Sequence, residues 1–230
     1  MGNLSRENPF DSQAVVAAYD QWFSMPVGAL VDRLEMALVL RMVSPRYGET
    51  ALDVGSGTGH FCFALADRGM QVTGIDASLE MVRAAQAAGK SVRYRHGRAE
   101  SLPFSDNQFD VVLSVAAMAF IASPQRAIGE MVRVLKPGGR LVVGALNPDS
   151  AFGRAYLSES QVSETPFRHA HMLSPADLIT MLGEYGRVFW SSSVFFGLAA
   201  PRWCMGKAVE WLGQRAYRQH GALVVAKVVK

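Results

Sequence analysis

A run of glycines behind an aspartate is the part of this sequence whose residue types are best suited to chemistry. The run reads LDVGSGTGHF, in which Asp53 precedes Gly55 and Gly57. Glycine lets a backbone adopt positive φ and approach a ligand with no Cβ in the way. Dinucleotide-binding turns follow the spacing G-x-G-x-x-G. Here the third glycine comes one position early and His60 stands where that pattern needs glycine, so we expect a cofactor other than a dinucleotide.

Two carboxylates indicate which cofactor suits the turn. Asp53 would repel a pyrophosphate but attract a cation, and S-adenosylmethionine carries an ammonium and a sulfonium and no phosphate. Asp76 ends the next predicted strand, 21 residues after Gly55 (76 − 55). A carboxylate at that point of an α/β sheet can accept both ribose hydroxyls. Taken singly, Asp53 could instead cap a helix and Asp76 could be a turn residue.

The elements that must position these residues alternate between strands and helices. Short apolar strands are predicted at 50–54, 71–76, 91–97, 109–115 and 140–146. Helices are predicted at 60–69, 78–90, 124–139 (ending in a Pro-Gly-Gly turn) and 174–186. Continuous apolar strands separated by helices indicate parallel pairing with both faces covered. With right-handed crossovers, the result is a doubly wound α/β sheet.

Segments on either side of this alternation complete the predicted architecture. Two helices precede the first strand, one across residues 11–25 and one from about Gly28 to Val43. Two late strands are predicted at 187–196 and 221–230. Repeats, low-complexity tracts and linkers are lacking, so residues 1–230 are predicted to form a single domain. Within it we distinguish an N-terminal helical lid (1–45), a cofactor-binding core (50–146) and a substrate-side segment (147–230).

Composition narrows the class of protein. Half of the 230 residues are hydrophobic, 19% are charged, and the formal net charge is +3. Such a chain is expected to fold around a substantial core, and it lacks the concentrated basic stripe of a nucleic-acid-binding protein. Local basic clusters nevertheless leave RNA as an alternative partner. Cys62 and Cys204 are too far apart in sequence for a C-x-x-C pair, and no metal site is expected. Neither a secretory signal nor a transmembrane stretch is evident, which predicts a cytoplasmic protein.

Four ordered stretches resemble one known family, the class I S-adenosylmethionine-dependent methyltransferases, in particular the group that includes the quinone-biosynthesis methyltransferases. They are LDVGSGTG, GIDASLEM, GRAESLPFSDNQFDVV and EMVRVLKPGGRLVV. The resemblance covers about residues 14–146. It implies a mostly parallel, seven-stranded sheet with an antiparallel last strand. It also implies transfer of a methyl group from S-adenosylmethionine to a small, partly apolar acceptor by in-line displacement.

The same resemblance assigns a set of residues to the cofactor. They are Tyr19, Asp53, Gly55, Ser56 and Gly57 at the methionine end, Asp76 at the ribose, Ala77, Met81, Arg98 and Ala99 at the adenine, and Ser114 and Val115 at the floor of the site. Tyr19 and its neighbours Trp22 and Phe23 could equally form a core-packing helix face. The family usually has an acid at the position of Arg98, and arginine has only donors. Glu100, a backbone carbonyl, or stacking of Arg98 on the adenine would then replace the usual contact.

The acceptor side is less defined by the sequence. His60, His169 and His171 are candidate bases, although alternate histidines such as the last two are often surface residues. The segment after the fourth strand lacks an Asn/Asp-Pro-Pro-aromatic motif, and no cysteine is placed to attack a pyrimidine. Both absences argue against methylation of nucleic-acid bases. The alternatives are an adenosylmethionine-binding protein without methylating activity, and an RNA methyltransferase.

A long insertion at 197–220 separates the last two predicted strands. In a helix, its Trp203, Ala208, Trp211, Leu212 and Ala216 would share one apolar face. That face either packs its tryptophans against the sheet edge, or borders the acceptor pocket or an anionic, lipid-like surface. The sixth strand is expected to be parallel, which would start the insertion on the cofactor side of the sheet.

Overall fold

A computed structural model describes residues 8–89, 91–197 and 206–230. Seven strands form one sheet in the order β3-β2-β1-β4-β5-β7-β6. The strands are β1 (Thr50–Val54), β2 (Gln71–Asp76), β3 (Arg93–His96), β4 (Phe109–Val115), β5 (Leu135–Leu146), β6 (Phe189–Ser193) and β7 (Leu223–Val229). Pairing is parallel from β3 to β5, whereas β7 runs antiparallel to both of its neighbours. The predicted fold class is therefore confirmed, including the antiparallel last strand.

Helices cover both faces of this sheet. Those in the described residues are α1 (Gln13–Ser24), α2 (Pro26–Val43), α3 (His60–Ala66), α4 (Leu79–Ala87), α5 (Pro124–Val134), α6 (Ala151–Val162), α7 (Pro175–Gly183) and α8 (Lys207–Ala216). None of them is long and apolar enough to cross a lipid bilayer.

Alternating side chains of the central strands fill two separate apolar layers. In β1, Leu52 joins the layer that contains Ile128 of α5, and Ala51 joins the layer that contains Leu38 of α2. In β4, Val112 and Val111 divide in the same way. All six side chains are at most 2% exposed. Since successive strand residues point to opposite faces, strands that are apolar throughout must be covered on both sides, as the sequence indicated.

The predicted end of α5 is wrong. We expected the helix to continue into a Pro-Gly-Gly turn, but it ends at Val134 and β5 begins at once with Leu135, which pairs with Phe109. The register of β4 and β5 then shifts. Gly138 adopts a φ of 76° and donates its N–H to the carbonyl oxygen of Lys230. The glycine therefore serves a bulge within the strand, a role that local sequence does not distinguish from a turn.

Two further helix predictions need correction. The helix α2 begins at Pro26 rather than Gly28, with proline in its first turn, where a missing N–H costs nothing. The helix α6 was not predicted. Its start is capped by the Ser150 hydroxyl, which accepts from the Gly153 N–H. Only Phe152 and Gly153 of this helix are buried, so its apolar periodicity is too weak to be read from the sequence.

The insertion does contain a helix, α8, but its orientation differs from the packing prediction. Trp211 and Leu212 are 58% and 51% exposed, while Gly213 is buried. The interpretation in which the helix buries its apolar face is therefore wrong for Trp211, and Trp203 lies outside the described residues. The sixth strand, β6, is parallel to β5, as expected, because both pair antiparallel with β7. The insertion thus starts at the edge of the sheet where the parallel strands end.

Candidate functional site

The glycine loop between β1 and α3 is held against the end of β2. The N–H groups of Gly55 and Ser56 both donate to the carbonyl oxygen of Ile75, at 2.8 and 3.1 Å. Gly55 and Gly57 adopt φ values of 75° and 52°, which side-chain-bearing residues rarely adopt. A Cβ on Gly55 would lie 2.3 Å from the Cβ of Ala117, just beyond β4. The loop therefore needs glycine at position 55 for both conformation and space.

Asp76 ties this loop to the start of α4. Its Oδ2 accepts from the Gly57 N–H and its Oδ1 from the Ser78 N–H, both at 2.8 Å. Burial raises the pKa of Asp76, and the two backbone N–H groups partly offset that rise. Each carboxylate oxygen keeps one lone pair free, so the side chain has capacity for two further donors such as ribose hydroxyls.

Asp53 is a buried carboxyl that pairs with no cationic side chain among the described residues. It is 2% exposed and accepts a hydrogen bond from the Cys62 thiol at 3.3 Å. Burial raises its pKa to about 7, an effect that the Cys62 hydrogen bond opposes. Neither Asp53 nor Asp76 forms an ion pair within residues 8–89, 91–197 and 206–230. Beside them, the buried hydroxyl of Ser56 has no hydrogen-bond partner in the same ranges. This set of donors and acceptors fits a ligand with an ammonium and a ribose.

The residues predicted for the adenine follow β2 and β3. Met81 is 3% exposed and donates its N–H to the Ser78 hydroxyl, whereas Ala77 is exposed, and its carbonyl oxygen lies 3.0 Å from Nε2 of His96. The Arg98 side chain is 68% exposed and pairs with Glu100, which is only 13% exposed. The Arg98 guanidinium is thus engaged by the Glu100 carboxylate, and which of the three replacements contacts the adenine stays a prediction.

The residues predicted for the floor of the site lie at the end of β4. Ser114 is fully buried, with a hydroxyl that lacks a partner in the described part of the chain, and Val115 is 8% exposed. Ala116 follows with a φ of 58°. Ala99, the last of the predicted contacts, packs against the core layer beneath. The predicted set thus gathers at one edge of the sheet, beyond the ends of β1 to β4, and its binding role stays a prediction.

The first helix is fastened over the glycine loop. A Cβ on Gly57 would lie 3.8 Å from the Tyr19 ring, which is ordinary contact. The Thr58 hydroxyl donates to Asp20 at 2.8 Å, and Phe23 stacks on the His60 ring at 4.6 Å. This arrangement is compatible both with a core-packing helix face and with a helix that covers the cofactor, since its aromatic side chains pack and also cover the loop.

The histidines considered as bases are disposed differently. His60 Nε2 lies 2.5 Å from Oδ1 of Asp32 in α2, so this ring links α3 to the covering helices. His171 is exposed, in keeping with a surface role. The side chain of His169 lies outside the described residues.

A row of aromatic side chains beside the loop was missed by sequence reasoning. Phe10 packs edge-on against Phe120 at 4.9 Å, Phe120 contacts Phe167 at 5.8 Å, and Phe167 stacks on Tyr156 at 4.4 Å. The row continues through Phe152 of α6. Most of these residues belong to segments for which no helix or strand was predicted. The frequency of aromatic residues in those segments was therefore the only sequence signal for the aromatic row.

Glu35 of α2 was also missed. It is half-buried and forms no hydrogen bond or ion pair with any residue that the structure describes. Burial, with the nearby carboxylates of Asp32 and Glu210, raises its pKa to about 8. Its charge in turn contributes to raising the pKa of Tyr19 and of Tyr156. Glu35 therefore lies among α1, α6 and α8. The signal in the sequence that could have identified Glu35 was its position as an acidic residue on the apolar side of the second predicted helix.

Comparisons with known proteins agree with this geometry. The methyltransferase domain family matches residues 52–143. A protein of Methanocaldococcus jannaschii described only as uncharacterized is 33% identical over 179 residues, which cover 78% of this chain and 80% of that one. A demethylmenaquinone methyltransferase of Renibacterium salmoninarum is 39% identical over 106 residues, 46% of this chain and 45% of its own length. The match thus spans about half of that relative.

A solved structure is similar over nearly the whole chain. It comes from Thermotoga maritima and is described as a "SAM-dependent methyltransferase, possible histamine N-methyltransferase". Its sequence is 26% identical, its TM-score is 0.74, and the match covers 96% of this chain and 98% of that one.

Substitution of Gly55 tests the tight loop. We expect Gly55→Ala to combine a backbone cost of about 1–2 kcal/mol with a clash against Ala117 that costs a further 1–3 kcal/mol, roughly. Gly48→Ala is the matched control, because its φ is 82° but no atom lies within 4 Å of the added Cβ. Chemical denaturation measures both. Equal losses of stability in the two variants would contradict the clash, and Gly55→Ala/Ala117→Gly should recover only the clash component.

Proposed function

The chain belongs to the class I S-adenosylmethionine-dependent methyltransferases, and on this basis we propose that it methylates a small and partly apolar acceptor. The observation that carries the proposal is the aromatic row from Phe10 to Tyr156 beside the glycine loop. Such a wall suits a ring or a hydrocarbon rather than a charged polymer. The descriptions of two similar proteins, a demethylmenaquinone methyltransferase and a "possible histamine N-methyltransferase", also refer to small ring-containing molecules.

The cofactor supplies a methyl group on a sulfonium, which is already activated for displacement. The acceptor's lone pair forms the new bond to the methyl carbon as the carbon–sulfur bond breaks, and its electrons remain on sulfur. The protein's part is to align the two molecules and to exclude water. In this proposal residues 1–45 cover the cofactor, residues 50–146 bind it, and residues 147–230 face the acceptor.

We assign the methionine end of the cofactor to the glycine loop. Asp53 would attract the ammonium, and the buried Ser56 hydroxyl, which lacks a partner in the described residues, would gain one. Asp76 would accept the ribose hydroxyls while it keeps its bonds to Gly57 and Ser78. Removal of Asp76 would therefore disturb the loop as well as the ribose contact.

Cofactor binding should release a proton from Asp53. Its pKa is raised to about 7 by burial, so below that pH the free protein holds the proton, and a bound cation favours the ionised form. The affinity for S-adenosylmethionine should rise on the order of tenfold between about pH 5.5 and about pH 7 and then level off. Calorimetry in two buffers of different ionisation enthalpy measures the released proton.

The variant Asp53→Asn should bind the cofactor weakly with no such pH dependence. Asp106→Asn, which alters an aspartate whose side chain is 69% exposed, is the control and should behave as the parent protein. A pH-independent affinity in the parent protein would rule out Asp53 as the ammonium partner.

Label transfer from methyl-labelled cofactor tests the acceptor class. We expect a hydroquinone or an aromatic amine to be methylated and RNA to remain unlabelled. Tyr156→Leu should raise the KM for the acceptor about tenfold, the scale of losing one aromatic stacking contact and part of its buried area. The Kd of the cofactor should be unchanged.

Tyr47→Leu is the control, because Tyr47 is 91% exposed and precedes β1 at the opposite edge of the sheet. Salt-sensitive labelling of RNA would replace this proposal with an RNA methyltransferase. Tight cofactor binding with no labelled acceptor in a broad extract would favour the non-methylating alternative.

Glu35 is the group best placed to take a proton from the acceptor. We expect kcat/KM for a hydroxyl or amine acceptor to rise with pH up to about 8, because burial raises the pKa of Glu35 to about 8 and only the ionised form is a base. Glu35→Gln should lower kcat/KM by about 100-fold above that pH, the scale of general-base catalysis, and should flatten the profile. Glu159→Gln, at an exposed position of α6, is the control. A profile unchanged by Glu35→Gln would exclude this role.

A further inference from the structure

The helix α8 presents its apolar side chains to solvent. Trp211 and Leu212 are more than half exposed, and Tyr217, immediately after the helix, is 58% exposed. Its opposite side is polar and faces the protein: the Glu210 carboxylate accepts from the Val194 N–H at 3.1 Å. Surface helices ordinarily do the reverse and bury their apolar stripe. The exposed side, defined here as Trp211, Leu212 and Arg215, is termed the outer face of α8.

Packing fixes this orientation. Gly213 lies directly on the Phe195 ring, and a Cβ there would approach the ring carbon Cγ to 2.2 Å. On the same side, Gln214 accepts from the Arg41 guanidinium of α2 at 3.1 Å. Turning the helix to bury Trp211 would break the bonds of Glu210 and Gln214 and would lift the glycine from the ring. The contacts of Glu210, Gly213 and Gln214 with the protein therefore keep the outer face exposed.

The charged residues in 206–230, the segment that carries the outer face, are basic with one exception. Glu210 is the only acidic residue in 206–230, and it points inward. Arg215 and Arg218 are exposed. The Arg215 guanidinium lies 4.5 Å from the centroid of the Trp211 ring. Arg215 thus lies beside the exposed Trp211 and Leu212 and forms no ion pair with any residue that the structure describes, which combines an apolar surface with positive charge.

We propose that the outer face of α8 binds the surface of an anionic lipid bilayer. Tryptophan and leucine partition into the boundary between headgroups and acyl chains, and arginine pairs with lipid phosphates. A second copy of the chain fits less well, because a twofold contact would bring Arg215 and Arg218 towards their own copies. The positive charges of Arg215 and Arg218 therefore favour binding to a negatively charged surface over association of two copies of the chain.

The strand that precedes α8 shows where the insertion starts relative to the sheet. The helix follows β6, whose last residue, Ser193, pairs with Leu223, which in turn pairs with Leu146 at the end of β5. The start of the insertion therefore lies at the same edge of the sheet as the glycine loop. Binding to lipid does not require methyl transfer, so the proposal stands or falls independently of the proposed function.

Vesicle co-sedimentation of the full chain tests the proposal. We expect binding to vesicles of phosphatidylcholine mixed with phosphatidylglycerol, little binding to phosphatidylcholine alone, and weakening by salt. Trp211→Ser/Leu212→Ser and Arg215→Gln/Arg218→Gln should each reduce the partition coefficient on the order of tenfold. The Trp211→Ser/Leu212→Ser pair should leave the melting temperature unchanged, since both side chains are more than half exposed. The arginine pair also removes the contact of the Arg218 guanidinium with the Trp190 ring, at 4.1 Å from its centroid, so its partition is compared at a temperature where both proteins are folded.

Val162→Ser is the matched control, because Val162 is an apolar side chain 84% exposed on another helix, α6, and its partition should equal that of the parent protein. Equal binding to neutral and anionic vesicles, or binding that survives both double substitutions, would overturn the proposal. So would a concentration-dependent dimer that Trp211→Ser/Leu212→Ser dissociates in the absence of vesicle binding.

Discussion

The hydrogen bond from the Gly57 N–H to the Asp76 carboxylate connects the parts of this molecule that have to meet. Asp76 ends β2, Gly57 belongs to the loop that leaves β1, and the other carboxylate oxygen fixes the start of α4 through Ser78. With the Ile75 carbonyl holding Gly55 and Ser56, the loop has little freedom. Preorganisation of this kind lowers the entropy that a ligand must overcome on binding.

The parallel sheet explains why these groups meet at all. Loops that leave β1, β2 and β4 emerge at the same edge, so side chains more than twenty residues apart become neighbours. The same edge concentrates negative charge in Asp53 and Asp76, and Glu35 and Glu210 lie beyond it. Burial raises the pKa of each of these groups. The edge is therefore electrostatically suited to a cationic ligand, and this holds whatever the acceptor is.

The structural elements could be predicted from the sequence where a local residue pattern is enough to determine them. The strand that contains Asp53 is buried from Ala51 to Val54, and the glycine spacing needs no tertiary context to be recognised. The sequence was less informative where packing decides. Gly138 looked like a turn and lies in a strand, because the partner that receives its N–H, Lys230, is distant in sequence. The outward orientation of Trp211 depends on the contact between Gly213 and Phe195, and no periodicity encodes which side of a helix will face the protein.

The fastening of α1 also has a kinetic consequence. Tyr19 lies over Gly57, and the contacts between Asp20 and Thr58 and between Phe23 and His60 close the same side. If α1 covers a ligand bound at the glycine loop, exchange of that ligand with solvent would require these contacts to separate. The helix would then act as a gate, and the lifetime of its closed state would set an upper limit on the rate at which spent cofactor leaves.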